Sequence, residues 1–220
     1  HKGSDVALGG FGTDTIYTYD TDNPSPADEI GSDKVVGDNG HVTFEDDGSI
    51  STFTTTDPGT GAQDFIYTGN GSDIIAGGDG DDTIYARVQT ESTDDNTDNG
   101  RDIILGDNGK AIFDTDGTLR NFTSIDYDHN TATDNSTVFT DTIYSGDGND
   151  VIIGGLETDT IHSEQGDDVV LGDNGHATFN ENGQLVDIST LSPTLGASDN
   201  IYTHKGSDVA LGGFGTDTIY

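Results

Sequence analysis

Aspartate recurs every nine residues along much of this chain. Asp64, Asp73 and Asp82 form one run, Asp141, Asp150, Asp159 and Asp168 a second, and Asp199, Asp208 and Asp217 a third. The two residues before each are typically a glycine and a small or polar residue. Carboxylates set out this way can serve two chemistries. Paired acids in a pocket can move protons, and rows of oxygens can hold a hard divalent cation. The first needs a unique constellation, and every candidate acid here is one member of a repeated position. No enzyme is expected.

The charge balance favours the second chemistry. Asp and Glu number 42, of which 36 are Asp, against 7 Lys and Arg, and the formal net charge is -35. That is the wrong sign for nucleic acid or an anionic membrane. It is also too much like charge to close up in water without a counter-ion, and calcium is the natural one for dense carboxylates. Low hydrophobicity with high net charge often means disorder, but regular spacing beside 32 glycines argues for structure.

The elements that must position these carboxylates follow from the same period. Two residues after each Asp comes an apolar residue: Ile66, Ile75, Ile84, Ile143, Ile152, Ile161, Val170, Ile201, Ala210 or Ile219. One inward side chain at that phase suits a strand of three residues. The glycines before the Asp supply a turn with positive φ. Two such halves make a flattened rung of about 18 residues, and stacked rungs make a parallel β-roll whose rungs cannot bury a core alone. The fold class expected is all-β, with almost no helix.

The stretches "GGFGTDTIY" from Gly9 and again from Gly212, and "GGDGDDTIY" from Gly77, resemble the RTX family, the haemolysin-type calcium-binding nonapeptide repeats. The resemblance implies a right-handed parallel β-roll, or β-solenoid, that binds several Ca²⁺ ions, is disordered without them and folds outside the cell. Two departures stand out. "GGLETDTIH" puts Glu157 at the third glycine, and "THKGSD" puts His204 and Lys205 where glycine and a small residue are usual. Weaker binding is expected at those turns.

Because two nonapeptides make a rung, same-corner partners lie two repeats apart. The expected pairs are Asp64 with Asp82, Asp141 with Asp159, Asp150 with Asp168 and Asp199 with Asp217. Asp73 pairs with Asp102, and Asp5 with Asp33, if segments 86–99 and 18–30 loop out of the stack. Rungs stand about 4.8 Å apart, and at an effective dielectric near 20 two carboxylates at that distance repel by about 3 kcal/mol. A cation between them reverses the sign, so that binding and folding become one event.

Three further turns, "GDNG" at Gly37, Gly106 and Gly172, place Asp38, Asp107 and Asp173 on the same side as Asp14, Asp82 and Asp159. Each is expected to close a calcium column. The expected metal set is therefore Asp5, Asp14, Asp33, Asp38, Asp64, Asp73, Asp82, Asp102, Asp107, Asp141, Asp150, Asp159, Asp168, Asp173, Asp199, Asp208 and Asp217. Asp20, Asp22, Asp94, Asp95 and Asp98, in the excursions, are read as solvated. The His residues are not read as ligands, since His41 and His176 share a position with Lys110.

After each GDNG the pattern becomes strand, turn, strand. Asp47-Gly48, Asp116-Gly117 and Asn182-Gly183 are hairpin signals, and Phe44, Phe113 and Phe179 are expected core plugs. The hairpins either widen the rungs or project sideways. The GDNG turns divide the chain into the end of one module (1–36), module 1 (37–105), module 2 (106–171) and an incomplete module 3 (172–220).

"HKGSDVALGGFGTDTIY" fills residues 1–17 and again 204–220, so a period of 203 residues has been covered and the next begun. There is no Cys, no apolar run long enough to span a bilayer and no leader pattern. The chain reads as an internal segment of a secreted or cell-surface tandem-repeat protein, such as an adhesin stalk, a sheath or a fibre. The alternative is the calcium-triggered secretion and folding segment of an exported enzyme or toxin. Partners consistent with this are calcium, identical chains in a fibre or surface layer, and glycans along an outward ridge of Tyr17, Tyr67, Tyr85, Tyr144, Tyr202 and Tyr220. Neither nucleic acid nor membrane insertion is expected.

Overall fold

The computed structural model describes residues 3–19, 31–88, 98, 100–125 and 139–220. Among these there is no helix, and twenty strands, β1 to β20 in chain order, form three sheets. The first is parallel, in the order β1 (Val6–Leu8), β3 (Lys34–Val36), β7 (Ile74–Ala76), β9 (Ile103–Leu105), β13 (Val151–Gly155), β15 (Val169–Asp173) and β19 (Val209–Leu211). The second, also parallel, runs β2 (Thr15–Tyr17), β6 (Phe65–Tyr67), β8 (Thr83–Tyr85), β12 (Thr142–Tyr144), β14 (Thr160–His162), β18 (Asn200–Tyr202) and β20 (Thr218–Ile219). The chain alternates between them, one strand of each per rung, as a parallel β-roll requires.

The core between these sheets is a ladder of single side chains. Val35, Ile75, Ile104, Ile152 and Val170 meet Ile66, Ile84, Ile143, Ile161 and Ile201, all fully buried. These are the residues two places after each Asp, and their β-branched side chains suit a flat, pleated wall. Registers run residue for residue, for example Ile75 beside Ile104 and Ile104 beside Ile152.

The hairpins neither widen the rungs nor project into solvent. They build a third, antiparallel sheet in the order β17 (Leu185–Thr190), β16 (Gly175–Phe179), β11 (Leu119–Ser124), β10 (Gly109–Phe113), β5 (Ile50–Thr55) and β4 (Gly40–Phe44). It lies on the outer face of the first sheet. Phe53, Phe122, Ala111, Ala177, Phe113 and Phe179 pack there against Val36, Leu105, Ile153 and Leu171 in a second core. The inner strands of the first sheet, between β1 and β19, are therefore covered on both faces. Those of the second have one face in the core and one outward, which is why they read Thr-Ile-Tyr rather than Ile-Ile-Leu.

A spacing match makes this third layer possible. A hairpin leaves the roll on every second rung, after β3, β9 and β15. Each contributes two strands, so the antiparallel sheet advances by two strand spacings for every two rungs. All three hairpins turn alike: Glu45, Asp114 and Asn180 accept from the amides of Gly48, Gly117 and Gly183, and these glycines hold φ of 90°, 82° and 70°.

Two expectations need correction here. Phe44 is not a core plug: it is 59% exposed, whereas its counterparts Phe113 and Phe179 are 7% and 2% exposed, because β4 is an edge strand with no neighbouring hairpin. The excursions are also narrower than 18–30 and 86–99. Thr18, Tyr19, Ala86 and Val88 are buried at their bases, while residues 20–30, 89–97 and 99, with Asp20, Asp22, Asp94 and Asp95, lie outside the described residues.

Candidate metal centre

The nine-residue spacing places two continuous columns of Asp along the two edges of the roll. In the first, each backbone amide donates to the next carboxylate: Asp14 to Asp64 (2.7 Å), Asp64 to Asp82 (2.7 Å), Asp82 to Asp141 (2.8 Å), Asp141 to Asp159 (2.9 Å), Asp159 to Asp199 (2.9 Å) and Asp199 to Asp217 (3.2 Å). In the second, the relay runs Asp5 to Asp33 (2.7 Å), Asp33 to Asp73 (2.8 Å), Asp73 to Asp102 (2.7 Å), Asp102 to Asp150 (2.8 Å), Asp150 to Asp168 (3.0 Å) and Asp168 to Asp208 (3.1 Å). The six same-corner pairs expected from spacing are all present. The links between them, such as Asp82 with Asp141, cross the hairpins and excursions, and counting by nine does not reach across those insertions.

One oxygen of each carboxylate after the first in its column is thus taken by an amide, and the other is in most cases buried without a hydrogen-bond partner, in both columns. In the first column, Oδ2 of Asp64, Asp82, Asp159 and Asp199 is buried with no hydrogen-bond partner. In the second, Asp33 Oδ2 accepts from Thr18 Oγ1 (2.5 Å) and Asp150 Oδ2 from Ser145 Oγ (2.6 Å). Those hydroxyls follow the Tyr position of the repeat, a signal visible in the sequence and not used.

Burial is the main force on these acids. It pushes Asp64 and Asp168 up to about 6, Asp73 and Asp199 to about 7 and Asp150 to about 8. Asp82 and Asp159 are raised well above the ordinary range by burial and then by Asp141, and Asp102 by burial and then by Asp73. Desolvated carboxylates one rung apart favour a proton, or a cation, between them.

The three GDNG aspartates stand in the turns beside the first column rather than in it. Asp38 accepts from the Asp79 amide (2.6 Å) and the Ala62 amide (3.3 Å), Asp107 from Leu156, and Asp173 from Phe214 and from Ala197 (3.2 Å). They tie the point where the chain leaves for a hairpin to the next nonapeptide turn. Burial pushes Asp38 to about 7 and Asp173 to about 6.

Asp98 was expected to be solvated and is instead 1% exposed. It accepts from the amides of Gly71 (3.2 Å) and Gly100 (2.9 Å), beside the second column. Its neighbour Gly100 takes the place of the turn glycine, and that glycine is the sequence signal for this position.

The chain matches the family described as "RTX calcium-binding nonapeptide repeat (4 copies)" over residues 2–23, 58–88, 137–170, 144–178 and 195–220, more than half of its length. It belongs to the RTX calcium-binding nonapeptide repeat family. Comparison with curated proteins and with solved structures found no match.

RTX repeats bind Ca²⁺, several ions per repeat region, and are typical of secreted proteins. The residues present fit such an ion. A Cβ added at Gly77 would meet both Gly106 O and Asp82 Oδ2, one added at Gly154 would meet Gly172 O and Asp159 Oδ2, and one at Gly172 would meet Gly212 O and Asp199 Oδ2. At each of these turns a carboxylate oxygen and the carbonyl of the next rung thus converge on the glycine, and oxygens of these two kinds are hard-cation donors. Among the described residues no three acidic or His side chains converge on one point, so backbone carbonyls must make up the rest of any donor set.

The RTX turns keep their shape even where glycine is missing. Glu157, Glu164 and His204 hold φ of 66°, 64° and 58°. The outward Tyr side chains form one ladder in which His162 takes a place: successive rings from Tyr17 to Tyr220 stack 4.5 to 5.3 Å apart with planes within 8°. The ring faces are covered by each other, leaving edges and hydroxyls outward. No helix of the described residues is long and apolar enough to cross a membrane.

Proposed function

We propose that this RTX segment is a calcium-rigidified structural unit of a secreted or cell-surface tandem-repeat protein, a stalk, sheath or fibre. The observation that carries the reading is the identity of residues 1–17 with 204–220, because a stretch that returns unchanged after 203 residues serves length rather than a unique site. The ligands proposed are the Asp columns with the turn carbonyls: Asp14, Asp64, Asp82, Asp141, Asp159, Asp199 and Asp217 on one edge, and Asp5, Asp33, Asp73, Asp102, Asp150, Asp168 and Asp208 on the other. Asp38, Asp107 and Asp173 join the first edge. Calcium supplies the positive charge that lets buried carboxylates stack, and the hairpin layer stiffens one face.

The test is far-ultraviolet circular dichroism during a calcium titration from chelator to millimolar, with magnesium as control. A cooperative rise of β signal with calcium alone is expected. A β signal indifferent to calcium would refute the reading.

A further inference from the structure

Every large apolar side chain that is exposed among the described residues lies at one of the two ends of the stack. At one end these belong to β1, β2, the turn between them and β4; at the other to β17, β19, β20 and the residues beside them. Leu8 and Phe44 mark the first end, at 44% and 59% exposed, and Val186 and Val209 the second, at 61% and 51%. Among the described residues no comparable apolar group is left open along the sides.

The two ends have the same phase. Both parallel sheets contain seven strands, whose first and last are the identical sequences 1–17 and 204–220, so a period advances six strand spacings. The antiparallel sheet contains six strands. All three layers therefore repeat over the same length, about 29 Å at roughly 4.8 Å per strand. The alternation of plain and hairpin-bearing rungs is preserved too, because six is even.

We propose that these ends are the two halves of one joint, whose occupant is a second copy of this chain's 203-residue unit. The inference rests on the repeat-segment reading above and specifies the contact that reading leaves open. In the joint, β19 and β20 serve as β1 and β2 of the following copy. Next to them, β3 pairs as Val6 with Lys34 and Leu8 with Val36, and β6 as Thr15 with Phe65.

The new contact is β17 against β4 of the following copy, and two internal precedents fix its register. Phe53 faces Ala111 between the first and second hairpins, and Phe122 faces Ala177 between the second and third. The equivalent residues at the joint are Ile188 and Val42, with Asp187 opposite Thr43 and Ser189 opposite His41. Closing it covers the following copy's Phe44 as Phe113 and Phe179 are covered, and leaves no unpaired antiparallel edge inside the array.

The experiment extends the full chain by appending residues 18–220 after Tyr220, and compares it with the single chain in millimolar calcium. Small-angle scattering should give one rod about 29 Å longer than the single chain. With Asp187→Cys in the first copy and Thr43→Cys in the second, oxidation should link the pair, whereas Asp187→Cys with Val42→Cys, which stand one residue out of register on opposite faces, should stay reduced. Without substitutions, amides of β17 in the first copy and β4 in the second should exchange as slowly as those of β10 and β11.

Two bodies scattering about a hinge, thiols that stay free at the predicted pair, or fast exchange at both strands would each overturn the joint. So would an extended chain that loses the β signal its single form shows. In all these cases a calcium response of the single chain leaves the repeat-segment reading standing. Loss of that response would sink the earlier reading by itself.

Discussion

Gly77→Ala places a methyl group where the oxygens of Gly106 and Asp82 face each other across stacked turns. Gly77 does not hold a left-handed φ, so alanine suits its backbone. By its effect on the unfolded chain alone, the change should stabilise by about 0.4 to 1 kcal/mol. Against this stands a collision with a backbone carbonyl that cannot swing away, and overpacking of this kind costs about 1 to 3 kcal/mol. The net expectation at saturating calcium is a loss of about 1 kcal/mol, read from urea unfolding followed by circular dichroism.

Gly3→Ala is the internal control, because nothing lies within 4 Å of its added Cβ and its φ is not left-handed. It should be neutral or slightly stabilising. A second comparison separates packing from ion binding. If the space holds calcium, Gly77→Ala must cost more in millimolar calcium than in calcium-free buffer at pH 5, where protons replace the ion. The reasoning is refuted if Gly77→Ala proves as harmless as Gly3→Ala, or if its cost is the same in both buffers.

Four further outcomes are expected. Carboxylates whose folded pKa lies above the unfolded value stabilise the fold fully below about 4 and lose that contribution as pH rises through the folded values. With those at about 6 to 8, the calcium-free chain should lose β structure between about pH 5 and 8, and calcium should flatten the profile; a calcium-free signal that grows with pH would contradict the burial of these acids. Asp150→Ala removes the acceptor for the Asp102 amide and for Ser145, and should cost about 2 kcal/mol in urea titrations at saturating calcium. Glu157→Gly relieves a left-handed non-glycine residue and should raise stability by about 1 kcal/mol, visible as a higher urea midpoint. Phe122→Ala should cost about 3 to 5 kcal/mol while Phe44→Ala changes the single chain little; equal effects would remove the third layer.

Much of this arrangement is legible in the sequence because the nonapeptide is a local code. Asp, glycine turn and inward Ile lie within nine residues of one another, so the columns and the first core could be placed by counting. The third layer could not be placed that way. Its hairpins are signalled by Asp-Gly and Asn-Gly, but where they pack depends on the outer face of strands such as Ile103–Leu105, apolar at all three positions, against Thr83–Tyr85, apolar inward only. That contrast is present in the sequence and predicts a second covered face. Asp98 reads as solvated because it sits between a polar excursion and a turn glycine, and composition weights the excursion over the glycine that holds it. Phe44 reads as a core plug because its local pattern is that of Phe113 and Phe179; only the order of strands in a sheet tells an edge from a middle.

The amide-to-carboxylate relay has a direction. Asp64 gives its amide to Asp82, and Asp82 gives its own to Asp141, so every rung is secured by the one that follows it in sequence. Kinetically, no rung can be locked until the chain beyond it is present. Chain that emerges N-terminus first would order behind a moving front, always at least one rung in arrears. Such a segment stays threadable at its growing tip while it hardens behind, and the lag is written in residues: 18 where rungs are plain, and 59 between Asp82 and Asp141.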